Sequence, residues 1–192
     1  MAEQVAGSVW IVIVNFRTAD LAVECLRSIA SQIAKLPGLH VVVADNASGD
    51  DSVEKLAATI KREGWKEWVS LLPLERNGGF AFGNNAGIRE ALQSHQPVDY
   101  LMLLNPDTIV REGAIRALAN FMDAHRTVGI AGSRLEGAEG QAECSALNAF
   151  TPLGELESGA RLGILSRALQ RYSVTPPMRD VAHECDWVSG AS

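Results

Sequence analysis

Short runs of apolar residues alternate with longer amphipathic segments along the first two thirds of the chain. The first run, SVWIVIVNF at residues 8–16, is β-branched and continuously apolar. Such a run is typical of a strand that is covered on both faces of a parallel sheet. In the segment that follows, apolar residues recur at helical spacing, at Leu21, Cys25, Leu26 and Ile29. The pattern therefore predicts a strand followed by a helix.

The same alternation continues to about residue 136. Strands are predicted at 39–45, 68–74, 98–105 and 128–135, and helices at 50–64, 80–95 and 111–125. Strands that alternate with helices of this length indicate right-handed crossovers and a mostly parallel α/β sheet flanked by helices. From Gly137 onward the alternation fails. In that region residues 141–150 could form a strand, 162–172 a helix and 185–192 the start of a last strand.

Composition narrows the class of protein. The chain has 192 residues, 47% of them apolar, which supports one globular unit with a substantial core. Its net charge is −6 and it has no basic block, which disfavours a nucleic-acid partner. The three cysteines form no C-x-x-C pair, so a reducing, cytoplasmic setting fits best. The first apolar run is too short for a transmembrane segment.

Polar residues follow four of the predicted strands at the point where each strand ends. They are Asn15 and Arg17, Asp45 and Asn46, residues 75–79, and residues 105–107. Open α/β sheets bind ligands in the crevice at the carboxyl ends of their strands. Asp and Asn also cap helices and form turns, which is the alternative interpretation of each residue taken alone. Their coincidence at four strand ends favours a site for a polar ligand.

Small residues recur every fourth position at Gly79, Gly83, Gly87 and Ala91, which would let one helix face approach a sheet closely. The pair Gly78-Gly79 stands directly before this helix, where backbone N–H groups can bind a phosphate. There is no G-x-G-x-x-G after the first strand and no G-x-x-x-x-G-K-[ST] anywhere. A dinucleotide-binding Rossmann fold and a P-loop NTPase are therefore disfavoured.

The stretch MLLNPDTIV, residues 102–110, carries the candidate metal ligand. Pro106 keeps Asn105 out of the helical region, so the strand conformation extends to the edge of the sheet. Asp107 would then lie at the rim, where a carboxylate can hold Mg²⁺ or Mn²⁺ that bridges substrate phosphates. The alternative is that Asp107 or Thr108 caps the helix that begins near Arg111.

Five motifs occur together in an order and spacing that resemble a known family. They are VIVNFRTADLAVECLRSI, VVVADNASGDDS, NGGFAFGNNAGIR, YLMLLNPDTIV and DWVSGAS. In these motifs the chain resembles the family 2 glycosyltransferases of the GT-A fold. It is most similar to the bacterial rhamnosyltransferase-like branch, which builds cell-surface polysaccharides.

The resemblance implies an inverting transferase that moves a sugar from dTDP-rhamnose or a UDP-sugar to an acceptor hydroxyl. Residues 1–136 would bind the donor, and residues 137–192 would begin the acceptor side. The acceptor would be a saccharide or a lipid-linked saccharide, the latter at the inner membrane face. The implied nucleotide-binding residues are Asn15, Asp45, Asn46, Asn77, Gly78, Gly79, Asn85 and Asn105. Asp107 would be the ligand of Mg²⁺ or Mn²⁺.

Two departures from the family pattern carry further expectations. Asn105 stands at the first acidic position of the D-x-D motif, which leaves the site with one fewer negative charge. Family members continue beyond WVSGA with a segment that supplies the general base, whereas this sequence ends at Ser192. The base is therefore expected beyond Ser192, and this chain is expected to be a truncated portion that binds the donor with weak or no transfer.

Two alternatives belong to other functional classes. The first is a non-catalytic nucleotide-sugar binding module. The second is an α/β nucleotidyltransferase, which would normally have a loop rich in glycine and basic residues directly after the first strand. That loop, NFRTADLA, has one Arg and no Gly, which disfavours the nucleotidyltransferase. The sequence leaves the oligomeric state open.

Overall fold

The structure is a computed structural model that describes residues 7–137, 139–154 and 173–189. The chain divides into two compact units, residues 1–128 and residues 129–192. The functional roles expected of residues 1–136 and 137–192 remain predictions. Within the described ranges, no helix has the length and apolar character needed to span a bilayer.

The first unit is built on a sheet of four parallel strands. They are β1 (Val9–Asn15), β2 (Leu39–Asp45), β3 (Val69–Pro73) and β4 (Tyr100–Leu104). Their order in the sheet is β3-β2-β1-β4. The helices between and after them are α1 (Ala19–Ala30), α2 (Ser52–Arg62), α3 (Phe80–Gln93) and α4 (Ala114–Ala124). The predicted parallel α/β fold is confirmed.

All seven residues of β1 are buried, as the continuous apolar run predicts. Its alternate residues Val9, Ile11 and Ile13 belong to the main core, which also includes buried side chains of α1, α2 and α4. The opposite face of β1 packs against α3, whose small residues Gly83, Gly87 and Ala91 are buried. Both faces of β1 are thus covered by helices, as expected of a central parallel strand.

The prediction of a fifth strand over residues 128–135 is wrong. The only strand there is β5 (Leu135–Glu136), which pairs antiparallel with β6 (Ala142–Glu143). Gly129 and Gly132 lower the β-propensity of the segment, and Ile130 is 79% exposed. An apolar run becomes a strand only where a neighbouring strand is available to pair with it.

The second unit contains short antiparallel pairs. The predicted strand at 141–150 forms as two strands, β6 and β7 (Ala146–Leu147). β7 pairs with β8 (Trp187–Val188), which confirms a strand at the start of residues 185–192. The helix predicted at 162–172 lies outside the described residues.

Candidate functional site

The polar ends of β1 and β2 lie side by side. Asn15 and Asp45 are register partners in the parallel ladder, and both side chains are buried. Asn15 Nδ2 donates a hydrogen bond to Asp45 Oδ1 at 2.7 Å. The backbone N–H of Asn46 donates to the carbonyl oxygen of Asn15 at 2.8 Å. The two strand ends therefore form one polar cluster, as their common edge of the sheet predicts.

Ser48 occupies two further acceptor positions of Asp45. Its hydroxyl donates to Asp45 Oδ1 at 2.6 Å, and its backbone N–H donates to Oδ2 at 3.0 Å. Ser48 is 1% exposed. Ser48 is not among the site residues predicted from the sequence. The available signal was the Asp-x-x-Ser spacing, since Asp side chains bond backbone N–H groups a few residues ahead in turns.

Arg17 joins the β1–α1 loop to the same cluster. Its backbone N–H donates to Ser48 Oγ at 2.9 Å, and its Nε donates to the Ser48 carbonyl oxygen at 2.9 Å. Arg17 has φ 58°, and Ala47 in the β2–α2 loop has φ 53°. Left-handed backbone is uncommon for residues other than glycine and occurs in turns and functional sites. Both loops at this edge of the sheet are therefore held in unusual conformations.

Asn46 links the end of β2 to the loop before α3. Its Nδ2 donates to Asn77 Oδ1 at 3.0 Å and to the Gly79 carbonyl oxygen at 3.1 Å. Its Oδ1 accepts from the backbone N–H of Gly78 at 3.3 Å, and Asn77 Oδ1 also accepts from Gly79 N–H at 2.9 Å. The structure thus brings four predicted site residues together, although 31 residues separate Asn46 from Asn77.

A cavity of about 330 Å³ opens at this point. It is lined by Val14, Phe16, Thr18, Asn46, Asn77, Gly79, Phe80 and Pro106. Three of the predicted nucleotide-binding residues are among them. Two lining residues, Phe16 and Phe80, are 42% and 49% exposed and are not among the site residues predicted from the sequence. Exposed aromatic rings beside polar groups can stack on a nucleobase, and an aromatic residue directly after a strand end is the signal that could have found Phe16.

Residues 105–108 form a turn at the end of β4, closed by a hydrogen bond from Thr108 N–H to the Asn105 carbonyl oxygen at 3.3 Å. Pro106 occupies the second position of the turn, which proline favours, and the Asp107 side chain is exposed. Helix α4 begins only at Ala114, with Gly113 at its N-cap. The alternative in which Asp107 or Thr108 caps this helix is therefore wrong.

The side chains at Asp107 and Asn105 suit a metal ion that is bound partly by the substrate. Among the residues that the structure describes, no group of three or more His, Cys, Asp and Glu could hold a metal ion. Mg²⁺ is usually bound through one or two carboxylates together with substrate phosphates and water. One exposed carboxylate beside the Asn105 amide fits that mode, and it does not fit an ion held by protein ligands alone.

Comparison with known proteins assigns the family. The profile of glycosyl transferase family 2 matches residues 10–178, most of the chain. The chain belongs to glycosyltransferase family 2. No curated protein sequence matches it. The family resemblance seen in the sequence motifs is thus confirmed, and the rhamnosyltransferase-like branch remains a prediction.

Solved structures with similar folds include a mannosyltransferase and S. aureus TarS. The mannosyltransferase PcManGT from Pyrobaculum calidifontis, in complex with GDP-Man and Mn²⁺, matches with a TM-score of 0.55 and 18% identity over 70% of this chain and 37% of its own. S. aureus TarS 1–349 matches at a TM-score of 0.50 both with UDP-GlcNAc (18% identity, 68% of this chain, 38% of its own) and with UDP (17%, 70% and 43%). At these identities the likeness establishes the GT-A type fold, and the chain spans 37–43% of those chains.

The other nucleotide-binding residues predicted for this family 2 chain do not line the cavity. Asn85 is exposed on α3, whereas its neighbour Asn84 is 4% exposed and donates from Nδ2 to the Phe80 carbonyl oxygen at 3.1 Å. Gly78 lies against Phe82, because a Cβ atom at Gly78 would stand 2.3 Å from Phe82 Cγ. Roles in nucleotide binding for Asn85, Gly78 and Asn105 stay predictions.

Two ionisable groups near the strand ends have shifted pKa values. Burial, and secondarily the negative charge of Asp107, raises the pKa of the Cys25 thiol to about 12. Hydrogen bonds from Ser52 lower the pKa of Asp50, which lies in the loop between β2 and α2. Cys25 is thus a neutral thiol at physiological pH, and Asp50 is a carboxylate. Neither group is suited to act as a general base near pH 7.

Proposed function

We propose that this chain carries the donor site of an inverting glycosyltransferase. The donor would be dTDP-rhamnose or a UDP-sugar, and the acceptor a hydroxyl of a saccharide or lipid-linked saccharide in cell-surface polysaccharide synthesis. Family 2 membership supports the reaction class. The observation that carries the proposal is the cavity at the strand ends, where the linked residues Asn46, Asn77 and Gly79 meet the exposed rings of Phe16 and Phe80.

The cavity offers complementary groups for the parts of a nucleoside diphosphate. The rings of Phe16 and Phe80 provide apolar faces for stacking a base. Asn77 and Thr18 provide polar groups at the cavity wall. Helix α3 begins at Phe80, so its first-turn N–H groups and the positive end of its dipole are at the same wall. Asn15 is connected to this site because its Oδ1 accepts a hydrogen bond from Thr18 Oγ1 at 3.1 Å. Asp45 is connected indirectly, because it accepts a hydrogen bond from Asn15 Nδ2.

Charge develops on the leaving nucleoside diphosphate when the glycosidic bond breaks. In this proposal Asp107 would hold Mg²⁺ or Mn²⁺, which would supply Lewis-acid stabilisation of that charge. The Asn105 amide would bond the ribose or a water molecule. Because Asn105 is neutral, the protein contributes a single negative charge, and affinity for the ion depends on the bound nucleotide.

The acceptor must also lose a proton, and the donor cavity has no group for that step. Its eight lining residues include no Asp, Glu or His. The base must therefore come from outside the cavity lining, so we expect donor binding to be separable from transfer.

Residues 1–136 are assigned to the donor side and 137–192 to the acceptor side. A lipid-linked acceptor would place the reaction at the cytoplasmic face of the inner membrane.

The second candidate function is a non-catalytic nucleotide-sugar binding module. The same observation favours it, since a cavity without a carboxylate can bind a donor without activating an acceptor. The two candidates share the donor site and differ in transfer. A radiolabelled donor incubated with saccharide acceptors separates them, because only the transferase yields a labelled product.

Calorimetric titration of the chain with UDP, dTDP, GDP and their sugars, with and without Mn²⁺, tests the donor site. We expect one nucleotide to bind preferentially and Mn²⁺ to strengthen its binding. Asn77→Ala should weaken binding, whereas Asn120→Ala on the exposed face of α4 is a matched control that should not. Absence of binding to every nucleotide would defeat both candidate functions. Unchanged Mn²⁺ dependence in Asp107→Ala would defeat the metal assignment alone.

A further inference from the structure

We propose that Asp45 is a positioning residue that acts through Ser48 on Arg17 and does not contact the donor. The inference rests on the proposed donor site, and it departs from the nucleobase contact that the family resemblance implies. Asp45 is 2% exposed and is absent from the cavity lining, whereas the next residue, Asn46, lines the cavity.

The hydrogen bonds of Asp45 point into the protein. Asn15 Nδ2 and Ser48 Oγ both donate to Oδ1, at 2.7 and 2.6 Å, and Ser48 N–H donates to Oδ2 at 3.0 Å. A carboxylate has about four acceptor positions, and donors from the protein occupy three of them on Asp45. A direct contact with a base would require Asp45 to give up at least part of this set.

The carboxylate determines how Ser48 can bond. An ionised carboxylate only accepts, so the single hydroxyl hydrogen of Ser48 must point to Asp45 Oδ1. The Ser48 oxygen is then left as an acceptor, and it accepts from Arg17 N–H at 2.9 Å and from Asn15 Nδ2 at 3.3 Å. The Ser48 carbonyl oxygen also accepts from Arg17 Nε at 2.9 Å. Asp45 thereby orients the hydroxyl that holds the Arg17 backbone.

Arg17 requires such support because its φ of 58° is strained for a residue with a side chain. Its two chain neighbours, Phe16 and Thr18, both line the cavity. The Arg17 guanidinium also lies over the Phe16 ring, with Cζ 5.2 Å from the ring centroid. The conformation of Arg17 therefore sets the direction in which Phe16 and Thr18 face. Through this chain of contacts Asp45 shapes the wall of the cavity.

The proposal predicts a pattern that a direct contact would not give. Asp45→Asn puts an amide N–H against one of the donors that Asp45 now accepts from, and Ser48→Ala removes the hydroxyl. Each disturbs the same support and should weaken binding of the preferred nucleotide by about tenfold, the effect of one charge-assisted hydrogen bond. The double variant should be no weaker than the worse single variant. The relative affinities for UDP, dTDP and GDP should stay the same, because no contact with the base is lost. Ser48→Thr keeps the hydroxyl and should retain most of the affinity.

Calorimetry on the four variants and the native chain, with circular dichroism to verify folding, measures this pattern. Multiplicative losses in the double variant, or a change in base preference in Asp45→Asn, would overturn the proposal. A crystal structure of the native chain with its preferred nucleotide tests it without any variant. Asp45 within hydrogen-bond distance of the nucleotide would overturn it, and an unchanged Asp45–Ser48 pair would support it. A native chain that binds no nucleotide refutes the proposed donor site instead.

Discussion

Gly87 of α3 lies directly over Val12 of β1, so close that a Cβ atom on Gly87 would stand 2.5 Å from Val12 Cγ1. One turn earlier, a Cβ atom on Gly83 would stand 2.7 Å from Val14 Cγ1. Neither separation is compatible with a side chain, so α3 reaches this depth only because both residues are glycine. Val14 lines the cavity and Gly79 caps α3 at its wall. The glycine contacts therefore determine how deep the start of α3 lies in the site.

Gly87→Ala should destabilise the chain despite placing a better helix former in α3. Alanine is favoured over glycine in a helix by about 1 kcal/mol. Overpacking a buried core commonly costs about 1–3 kcal/mol, and Val12, which the new Cβ would meet, is 0% exposed. The difference is a net loss of up to about 2 kcal/mol in the free energy of unfolding, measured by urea denaturation.

A double variant identifies the contact responsible. Val12→Ala removes the atom that the new Cβ would meet, so Gly87→Ala should be less harmful in that background than alone. Gly129→Ala is the control, because nothing lies within 4 Å of a Cβ at Gly129, and its effect should stay within about 0.5 kcal/mol. Equal losses for Gly87→Ala in both backgrounds would show that Val12 is not the obstacle.

This close packing could be predicted from the spacing of Gly79, Gly83, Gly87 and Ala91, because a helical period of nearly four places them on one face. The strands could be predicted for a related reason. A run such as residues 8–16, apolar at every position, is stable only when both faces are covered. Local spacing therefore specified the layers of the fold and the edge of the sheet that carries polar residues.

The missed features depend on contacts that spacing does not contain. Residues 128–135 are as apolar as a strand, yet no parallel neighbour pairs with them in the part of the chain that the structure describes. Ser48 looks like an ordinary turn residue until the fold brings Arg17, 31 residues away, against its hydroxyl. Phe16 looks like the last residue of an apolar run, although the left-handed backbone at Arg17 leaves its ring at the cavity.

Asn46→Asp should be less stable than Asn46→Ala at pH 7. The amide nitrogen of Asn46 faces two oxygens, Asn77 Oδ1 at 3.0 Å and the Gly79 carbonyl oxygen at 3.1 Å. Alanine removes these bonds, at a cost of about 1–3 kcal/mol. Aspartate places a buried negative charge against the same oxygens, which adds repulsion and desolvation. Thermal unfolding of both variants at pH 7 measures the difference.

The pH dependence provides the internal check. Burial and the facing oxygens should raise the pKa of the introduced carboxyl in the folded chain above its unfolded value. Its penalty should then diminish as pH falls below the folded pKa, because the protonated group is neutral and can donate a hydrogen bond. Asn120→Asp on exposed α4 should show no such recovery. If Asn46→Asp stayed equally unstable from pH 7 to pH 5, the introduced group would not be facing these oxygens.

Asn105→Asp should strengthen Mn²⁺ binding in the presence of nucleotide. It restores a second carboxylate beside Asp107 in the turn at residues 105–108. At the surface, one extra charge about 4 Å from an ion contributes roughly 1 kcal/mol or more, which is about fivefold in affinity. The Asn105 backbone carbonyl accepts from the Cys25 thiol at 3.8 Å, and the substitution leaves that contact in place. Titration of Mn²⁺ followed by paramagnetic resonance measures the affinity.

A charge-matched swap tests whether position 107 is the ligand. The double variant Asn105→Asp with Asp107→Asn has one carboxylate, as the native turn does. If Asp107 binds the ion, the swap should bind Mn²⁺ more weakly than the native chain. Equal affinity would mean that only the local charge matters, and no response to either change would place the ion elsewhere.

The buried thiol of Cys25 should make the chain less stable at alkaline pH. Burial, assisted by the charge of Asp107, raises the Cys25 pKa from 9.0 to about 12. Above pH 9 the unfolded chain therefore releases a proton that the folded chain retains. The free energy of unfolding then falls, by at most about 1.4 kcal/mol per pH unit between pH 9 and 12. Urea denaturation at pH 8, 9, 10 and 11 measures this slope.

Cys25→Ala separates this thiol from the other groups that titrate at high pH, since the variant keeps them all. Its stability should decline less steeply than that of the native chain above pH 9. The same burial predicts that iodoacetamide at pH 8 modifies the half-buried Cys144 and Cys185 but spares Cys25 until urea unfolds the chain. Parallel slopes for the native chain and Cys25→Ala, together with rapid labelling of Cys25 in the folded chain, would show that the thiol is accessible and its pKa ordinary.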